Sequence, residues 1–324
     1  MFILFLGIIF PSAYNTCRHF DFLHSVDTKS YVKMAQGDYN VMVTHKYRFI
    51  IPSLSLLTTK IIQNLSPNGL NRADINLWQI QLSFLIWNTV FLAMASLVLF
   101  KWLALFNLSF LSYLIGVLMF ATSRWVNYSA GLPMIDSLYY FVVFLFLYGI
   151  QSNQLYMIII ALIIGPIAKE SFLILIPLLI FSKHWKILIL STIASLAIFY
   201  SVRIFVDYLY PLSPTDGLEN ALNHAQTIFF SIKRICSYKG ILELVLVFGW
   251  FNIILLTFML FKFKSSIQIL KSIPLISYLF CSMVLAHMLL SGDTDRMFTL
   301  SAPFFTLILA KICFSYESTY MQKS

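Results

Sequence analysis

The sequence predicts an all-α, polytopic membrane protein: a single integral domain over residues 1–324 with about ten transmembrane helices and a long first extracytoplasmic loop carrying surface-lying helices. Three observations carry this expectation. Residues of the AVILMFWYC set make up 60% of the chain, mean hydropathy is +0.84, and only 11% are Asp, Glu, Lys or Arg. A water-soluble domain carries about 25% charged residues because something must meet the solvent, so a soluble enzyme, a disordered tail and a nucleic-acid-binding domain are excluded. Apolar runs recur along the whole chain, and the basic residues sort between the joints that separate them.

The first run, Met1 to Tyr14, has no basic n-region and no small-residue cleavage site after it, which predicts a retained first helix rather than a signal peptide. The first outside loop, about 15–77, follows. Within it a helix is expected over 28–36, with Asp27 at its N-cap and Tyr31 and Ala35 on one face. A second segment, 49–62, is expected to lie along the membrane surface, Pro52 near its start suiting a helix entry. The remaining crossings are expected at 78–100, 102–121, 135–150, 155–168, 171–182, 185–206, 241–261, 272–290 and 297–313. A second long outside loop spans about 207–240, with Pro211, Pro214, Asp216, Gly217, Glu219, His224, Lys233 and Arg234. It reads equally as a lid and as an inert solvated loop.

Segment 49–62 decides the topology, because counting it as a crossing would invert everything after it. With it on the surface and both termini cytoplasmic, the cytoplasmic side holds eight lysines (Lys101, Lys183, Lys186, Lys262, Lys264, Lys271, Lys311, Lys323) against Glu317 alone, a balance of +7. The other side keeps 14 basic and 12 acidic residues, +2, and together they make the +9 of the chain. The net charge is therefore first a topology signal. All seven arginines (Arg18, Arg48, Arg72, Arg124, Arg203, Arg234, Arg296) fall outside. Charge at a membrane face is costly unless solvated or paired, so its concentration points to the outer face as the working one.

Cys17, Cys236, Cys281 and Cys313 form no CxxC, and a Cys17–Cys236 disulfide stays open. The histidines show no HExxH or other ligand spacing, so no metal site and no cofactor is expected. No internal repeat is visible, and the Gly165-Pro166 break has no counterpart in a second half, which gives inverted-repeat transporters no support.

The scarce charges supply the candidate site. Asp27, just beyond the first helix, is placed to deprotonate a hydroxyl acceptor, with Asp21 and His24 as spares. Arg48, Lys169 and Arg296 stand at outside helix ends, where a lipid phosphate at headgroup depth would lie. Arg296 reads alternatively as a local pair with Asp293 or Asp295. Lys169 and Glu170, adjacent between two apolar runs, call for a partner or a function. Asp136 and Arg124 flank the 122–134 loop, and Arg203 and Asp207, at i and i+4, read as a helix-end salt bridge.

Asp27-x-x-x-Tyr31-x-x-x-Ala35 resembles the Asp-Glu-x-x-Tyr-x-x-x-Ala motif in the first outside loop of the GT-C membrane glycosyltransferases, which include the protein mannosyltransferases and the lipid A aminoarabinose transferases. Thr28 departs from it, standing where those enzymes often have Glu. Lys46-Tyr47-Arg48-Phe49-Ile50-Ile51-Pro52 is similar to the Tyr-Arg-x-x-x-Pro stretch of small bacterial relatives, and Ala168-Lys169-Glu170-Ser171 to a Lys-Glu-[Ser/Thr] at an outside helix boundary. Asp293-Thr294-Asp295-Arg296 with Pro303 resembles a late Asp-x-x-Arg region followed by Pro. The resemblance implies a polyprenyl-phosphate sugar donor and a glycan, lipid or protein acceptor among membrane lipids, with no nucleic acid. It implies Asp27 (Asp21 in reserve) as the catalytic base and Arg48, Lys169 and Arg296 on the donor phosphate. Tyr31, Lys46, Glu170, Asp136, Asp293 and Asp295 would support them. A bacterial inner membrane is the favoured location, the endoplasmic reticulum the other. The alternatives are a polysaccharide polymerase or ligase of O-antigen type and a transporter or flippase of lipid-linked substrates.

Overall fold

The computed structural model describes residues 1–65, 72–211, 228–291 and 293–321. Pro214, Asp216, Gly217, Glu219, His224 and Lys323, named above, lie outside the described residues. Every described element is a helix.

Helix α1 (Phe2–His19) continues past Tyr14. Its Phe5, Ile9, Ala13 and Cys17 recur four apart and are all buried, a stripe that faces α5 (Arg72–Ala104) and α7 (Arg124–Gly131). Gly131 permits the close approach to α1: a Cβ there would lie 2.6 Å from the Ala13 carbonyl oxygen. Between α1 and α5 the first loop folds into α2 (Val26–Ala35), α3 (Val43–Lys46) and α4 (Ile50–Leu65). The 49–62 segment is thus a helix. It packs along α5 through Thr59 Oγ1 to Ser83 Oγ at 2.9 Å and the Trp87 indole donating to Thr58 at 2.7 Å.

The 102–121 run divides. Trp102 to Ala104 complete α5, Asn107 takes the left-handed conformation (φ 52°), and α6 (Phe110–Ala121) begins on a Ser109 cap. Helix α8 (Asp136–Ser152) is the buried axis of the core: every residue from Asp136 to Ile150 except Phe141 is buried. It lies between α5 and α9 (Leu155–Ala168). After α9 the chain reverses at Lys169 into a 3-10 helix, Glu170–Phe181, in place of the α-helical run 171–182. At about 2 Å rise per residue this form stretches a short segment further than an α-helix would. Gly165 makes room for the reversal: a Cβ on it would meet the Phe172 ring at 2.5 Å.

Helix α10 (Trp185–Leu209) is peripheral and exposes Ile187, Leu190, Ile193, Ile204 and Phe205. Such a face is a liability in water and costs nothing against hydrocarbon. Helices α11 (228–235) and α12 (Tyr238–Leu246) lead to α13 (Trp250–Phe261). The 241–261 run is therefore two helices, bent by 102° next to Gly249, whose φ of 55° suits a residue without a side chain. Helix α14 (Phe263–Lys271) meets α15 (Leu275–Ser291) at 98°. A short α16 (Thr294–Phe298) and a 3-10 turn (Thr299–Ser301) then enter α17 (Ala302–Met321).

Among the described residues, Leu77–Ala104, Trp185–Leu209 and Thr294–Glu317 are each long and apolar enough to cross a membrane, and counting each bent pair as one span raises three to five. Apolar helices of this length mark a membrane protein. All four cysteines are free: Cys17 is buried in the core whereas Cys236 is exposed, which closes the question of a disulfide between them.

Candidate functional site

The site gathers at the end of the bundle where α8 begins, α9 and α15 finish and α17 starts. Its first piece comes from α2. Ser25, not Asp27, caps that helix: its Oγ accepts from the Thr28 amide at 3.1 Å while Thr28 Oγ1 accepts from the Ser25 amide at 3.3 Å. Thr28 performs here the capping that a Glu performs in the usual box. With the cap provided, the Asp27 carboxylate turns inward, Oδ1 lying 3.2 Å from His45 Nε2 and Oδ2 accepting from Arg296 Nη1 at 2.8 Å.

Arg296 is the centre of the cluster. Its Nε and Nη2 both address Asp136 Oδ2, at 2.8 and 2.6 Å, while Nη1 is shared between Asp27 at 2.8 Å and Asp293 at 3.2 Å. Asp136 is the first residue of α8, where the helix dipole favours an acid. Its other oxygen has the Lys169 ammonium 3.6 Å away, an ion pair too long for a hydrogen bond, so Oδ1 remains without one. Lys169 also lies over the Tyr139 ring at 5.5 Å, and the Tyr140 hydroxyl donates to the Arg296 carbonyl at 3.2 Å. One edge of the guanidinium is thus fixed, and the other faces two carboxylates of which Asp293 is 56% exposed.

A second pair adjoins the first. Arg48 grips Glu170 with two donors, at 3.1 and 2.5 Å, and its Nη1 reaches the Tyr31 hydroxyl at 3.4 Å. The Tyr31 ring lies 5.2 Å from the ring of His45, which links this pair back to Asp27.

Other sequence candidates go elsewhere. Lys46 pairs with Asp207 at 2.5 Å and donates to the Tyr210 carbonyl at 2.9 Å, tying α3 to the end of α10. Asp207 also accepts from Tyr47 at 2.8 Å, so the expected Arg203–Asp207 bridge is replaced: Arg203 lies over the rings of Tyr47 and Phe199, at 4.4 and 4.5 Å. The i and i+4 spacing brought the two within reach, but Asp207 faces α3. Asp295 is buried beside Arg234 at 3.8 Å rather than on Arg296, and Arg234 itself holds Glu243. Asp21 accepts from the Leu23 amide at 2.9 Å within its own turn, and His24 bonds the Tyr128 hydroxyl. No motif or spacing in the sequence marks His45, and its charged neighbours Lys46 and Arg48 are the signal near it.

Burial raises a carboxyl, yet the His45 hydrogen bond and the Arg296 charge outweigh it and hold Asp27 well below the usual carboxylate range. Burial pushes the Tyr31 phenol up to about 12. Burial also brings the Lys169 ammonium down to about 8, the opposing pull of Asp136 offsetting it only in part. The arrangement offers cations whose carboxylate partners can be exchanged for an incoming anion, and a carboxylate that regains basicity when its cation is drawn away. Neither models of known protein families, nor curated proteins, nor solved structures give a match to this chain.

Proposed function

We propose that the protein is a membrane glycosyltransferase that moves a sugar from a polyprenyl-phosphate donor to the hydroxyl of a glycan, lipid or protein acceptor on the extracytoplasmic face. The observation that carries this reading is the 2.8 Å contact of Asp27 with Arg296, 269 positions apart in the chain, in a cluster that also holds Asp136, Lys169, Glu170 and Arg48. In the mechanism, the donor phosphate displaces exposed Asp293 from Arg296 Nη1 and draws on Lys169, with Arg48 beyond. Sharing Arg296 with the phosphate relieves Asp27 of part of the charge that depresses it. Asp27 then takes the proton of the acceptor hydroxyl as its oxygen attacks the anomeric carbon. The bond from that carbon to the phosphate oxygen breaks, and its electron pair stays on the lipid phosphate, stabilised by the cations. A single displacement inverts the anomeric configuration.

About ten crossings, with both termini and the lysine-rich end cytoplasmic, go with this reading, as does a bacterial inner membrane. Residue 169 and its neighbours then lie in a brief outside joint. The test is transfer of labelled sugar from a polyprenyl-phosphate donor in membranes carrying wild type or Asp27→Asn; undiminished transfer by the variant removes Asp27 as the base. A second reading, a flippase of lipid-linked substrates, draws on the burial of Asp136, Lys169 and Arg296 at helix ends. It predicts substrate movement in proteoliposomes that contain no acceptor.

A further inference from the structure

We infer that the lysine-rich end of the molecule holds a second site, a cleft between α13, α14 and α17 that takes the phosphate head and first chain of an anionic phospholipid. The cleft encloses about 610 Å³, and Lys262, Lys311, Ser265 and Gln268 line its polar side while Phe258 and Phe314 line its apolar side. Neither lysine pairs with a carboxylate among the described residues. Glu317, the acid on the same helix as Lys311, turns instead toward α6, where the Ser112 hydroxyl donates to it at 3.3 Å. Two uncompensated ammonium groups beside amide and hydroxyl donors suit a phosphate oxygen.

The apolar side specifies an amphiphile. Leu255 and Met259 of α13, Leu270 of α14 and Ile308 of α17 line an apolar cavity of about 230 Å³. On α13 Leu255 of the cavity stands three residues from Phe258 of the cleft, and on α17 Ile308 of the cavity stands three residues from Lys311 of the cleft. Charge therefore gives way to hydrocarbon along one direction, as it does in a phospholipid, whereas a small free anion would leave the cavity empty. Helix α14 leaves α15 at 98°, with Lys264 and Lys271 exposed, the orientation of a basic helix lying at an interface. The lysines of the cleft belong to none of the ion pairs around Asp27 and need nothing from the chemistry proposed there.

The test is native mass spectrometry of the full-length protein released from detergent with phosphatidylglycerol of long or of short acyl chains, with phosphatidylcholine of the same chains, or with inorganic phosphate. Phosphatidylglycerol adducts are expected to persist in wild type and in Lys262→Arg/Lys311→Arg. They should weaken about 25-fold in Lys262→Gln/Lys311→Gln, at about 5-fold per neutralised lysine. Lys183→Gln/Lys186→Gln, away from the cleft, should leave them unchanged. Met259→Trp, which fills the cavity and keeps both lysines, should remove the preference for long over short acyl chains, and decides the matter if the double glutamine variant does not fold. Equal retention of phosphatidylcholine overturns the proposal, as do adducts insensitive to both variants. Displacement by inorganic phosphate at equal concentration also overturns it, since the occupant is then a free phosphate-bearing solute.

Discussion

His45 and Lys46 are neighbours in the chain, yet the ion clusters they join are built in opposite ways. At Lys46 one cation meets one carboxylate, Asp207 at 2.5 Å, and Tyr47 and the Tyr210 carbonyl complete the set. At Arg296 one cation serves Asp27, Asp136 and Asp293, while Asp136 Oδ1 and His45 Nδ1 have no hydrogen bond. Closed pairs hold elements in place; a shared cation with unfilled acceptors can change partners without emptying a buried site. The difference teaches which cluster is a fastening and which can receive a substrate.

The largest test of that contrast sets Asp27→Asn against Asp207→Asn. Loss of a general base costs about 10²- to 10⁴-fold in rate, so sugar transfer by the first variant should fall by that order with the fold retained. The second strands the buried Lys46 ammonium, so it should loosen α3 from α10 and lower the melting midpoint, while transfer by the folded protein falls by much less than about 10²-fold. Equal losses in the two would erase the distinction.

Stability probes the same hub. Asp136 is buried and faces both Arg296 and Lys169, so Asp136→Ala leaves two cations without their shared partner and should destabilise by about 3–5 kcal/mol, read as a lowered melting midpoint in detergent. Adding Arg296→Met should recover part of the loss, because it removes one of the two stranded charges and leaves that of Lys169.

The charges of the hub were conspicuous in the sequence because the chain carries so few: Asp27, Arg48, Asp136, Lys169, Glu170, Asp293 and Arg296 stand out against 11% charged residues. Their partnerships were not, since the contact of Arg296 with Asp27 spans 269 positions. Local spacing misled where it was the only guide, as with Arg203 and Asp207. His45 shows no ligand spacing and gives no sign of its partnership with Asp27, because a lone imidazole in the first loop disturbs neither hydropathy nor charge. Hydropathy likewise located apolar runs but not their breaks: the bend at Gly249 and the left-handed turn at Asn107 depend on backbone dihedrals that hydropathy does not sense.

The reversal that delivers Lys169 and Glu170 to the hub should be sensitive to a single methyl group. In Gly165→Ala the new Cβ would overlap the Phe172 ring. The ring must shift, and the expected cost is about 1–3 kcal/mol of stability with a matching fall in donor affinity. A variant that melts and binds like wild type would separate the α9 reversal from the site.

The smallest expected effect is the pH response of donor binding. With its ammonium brought down to about 8 by burial, Lys169 is charged below that pH and neutral above it. An anionic donor favours the charged form, so binding should begin to weaken at or above pH 8, by no more than about 10-fold per pH unit, the limit for a single proton. Lys169→Arg remains charged throughout and should flatten this limb. Equilibrium binding of labelled donor between pH 6.5 and about 10 reads the difference. If Lys169→Arg keeps the same inflection, the titrating group lies elsewhere, and Arg296 alone carries the exchangeable contact that sets the hub apart from the Lys46 latch.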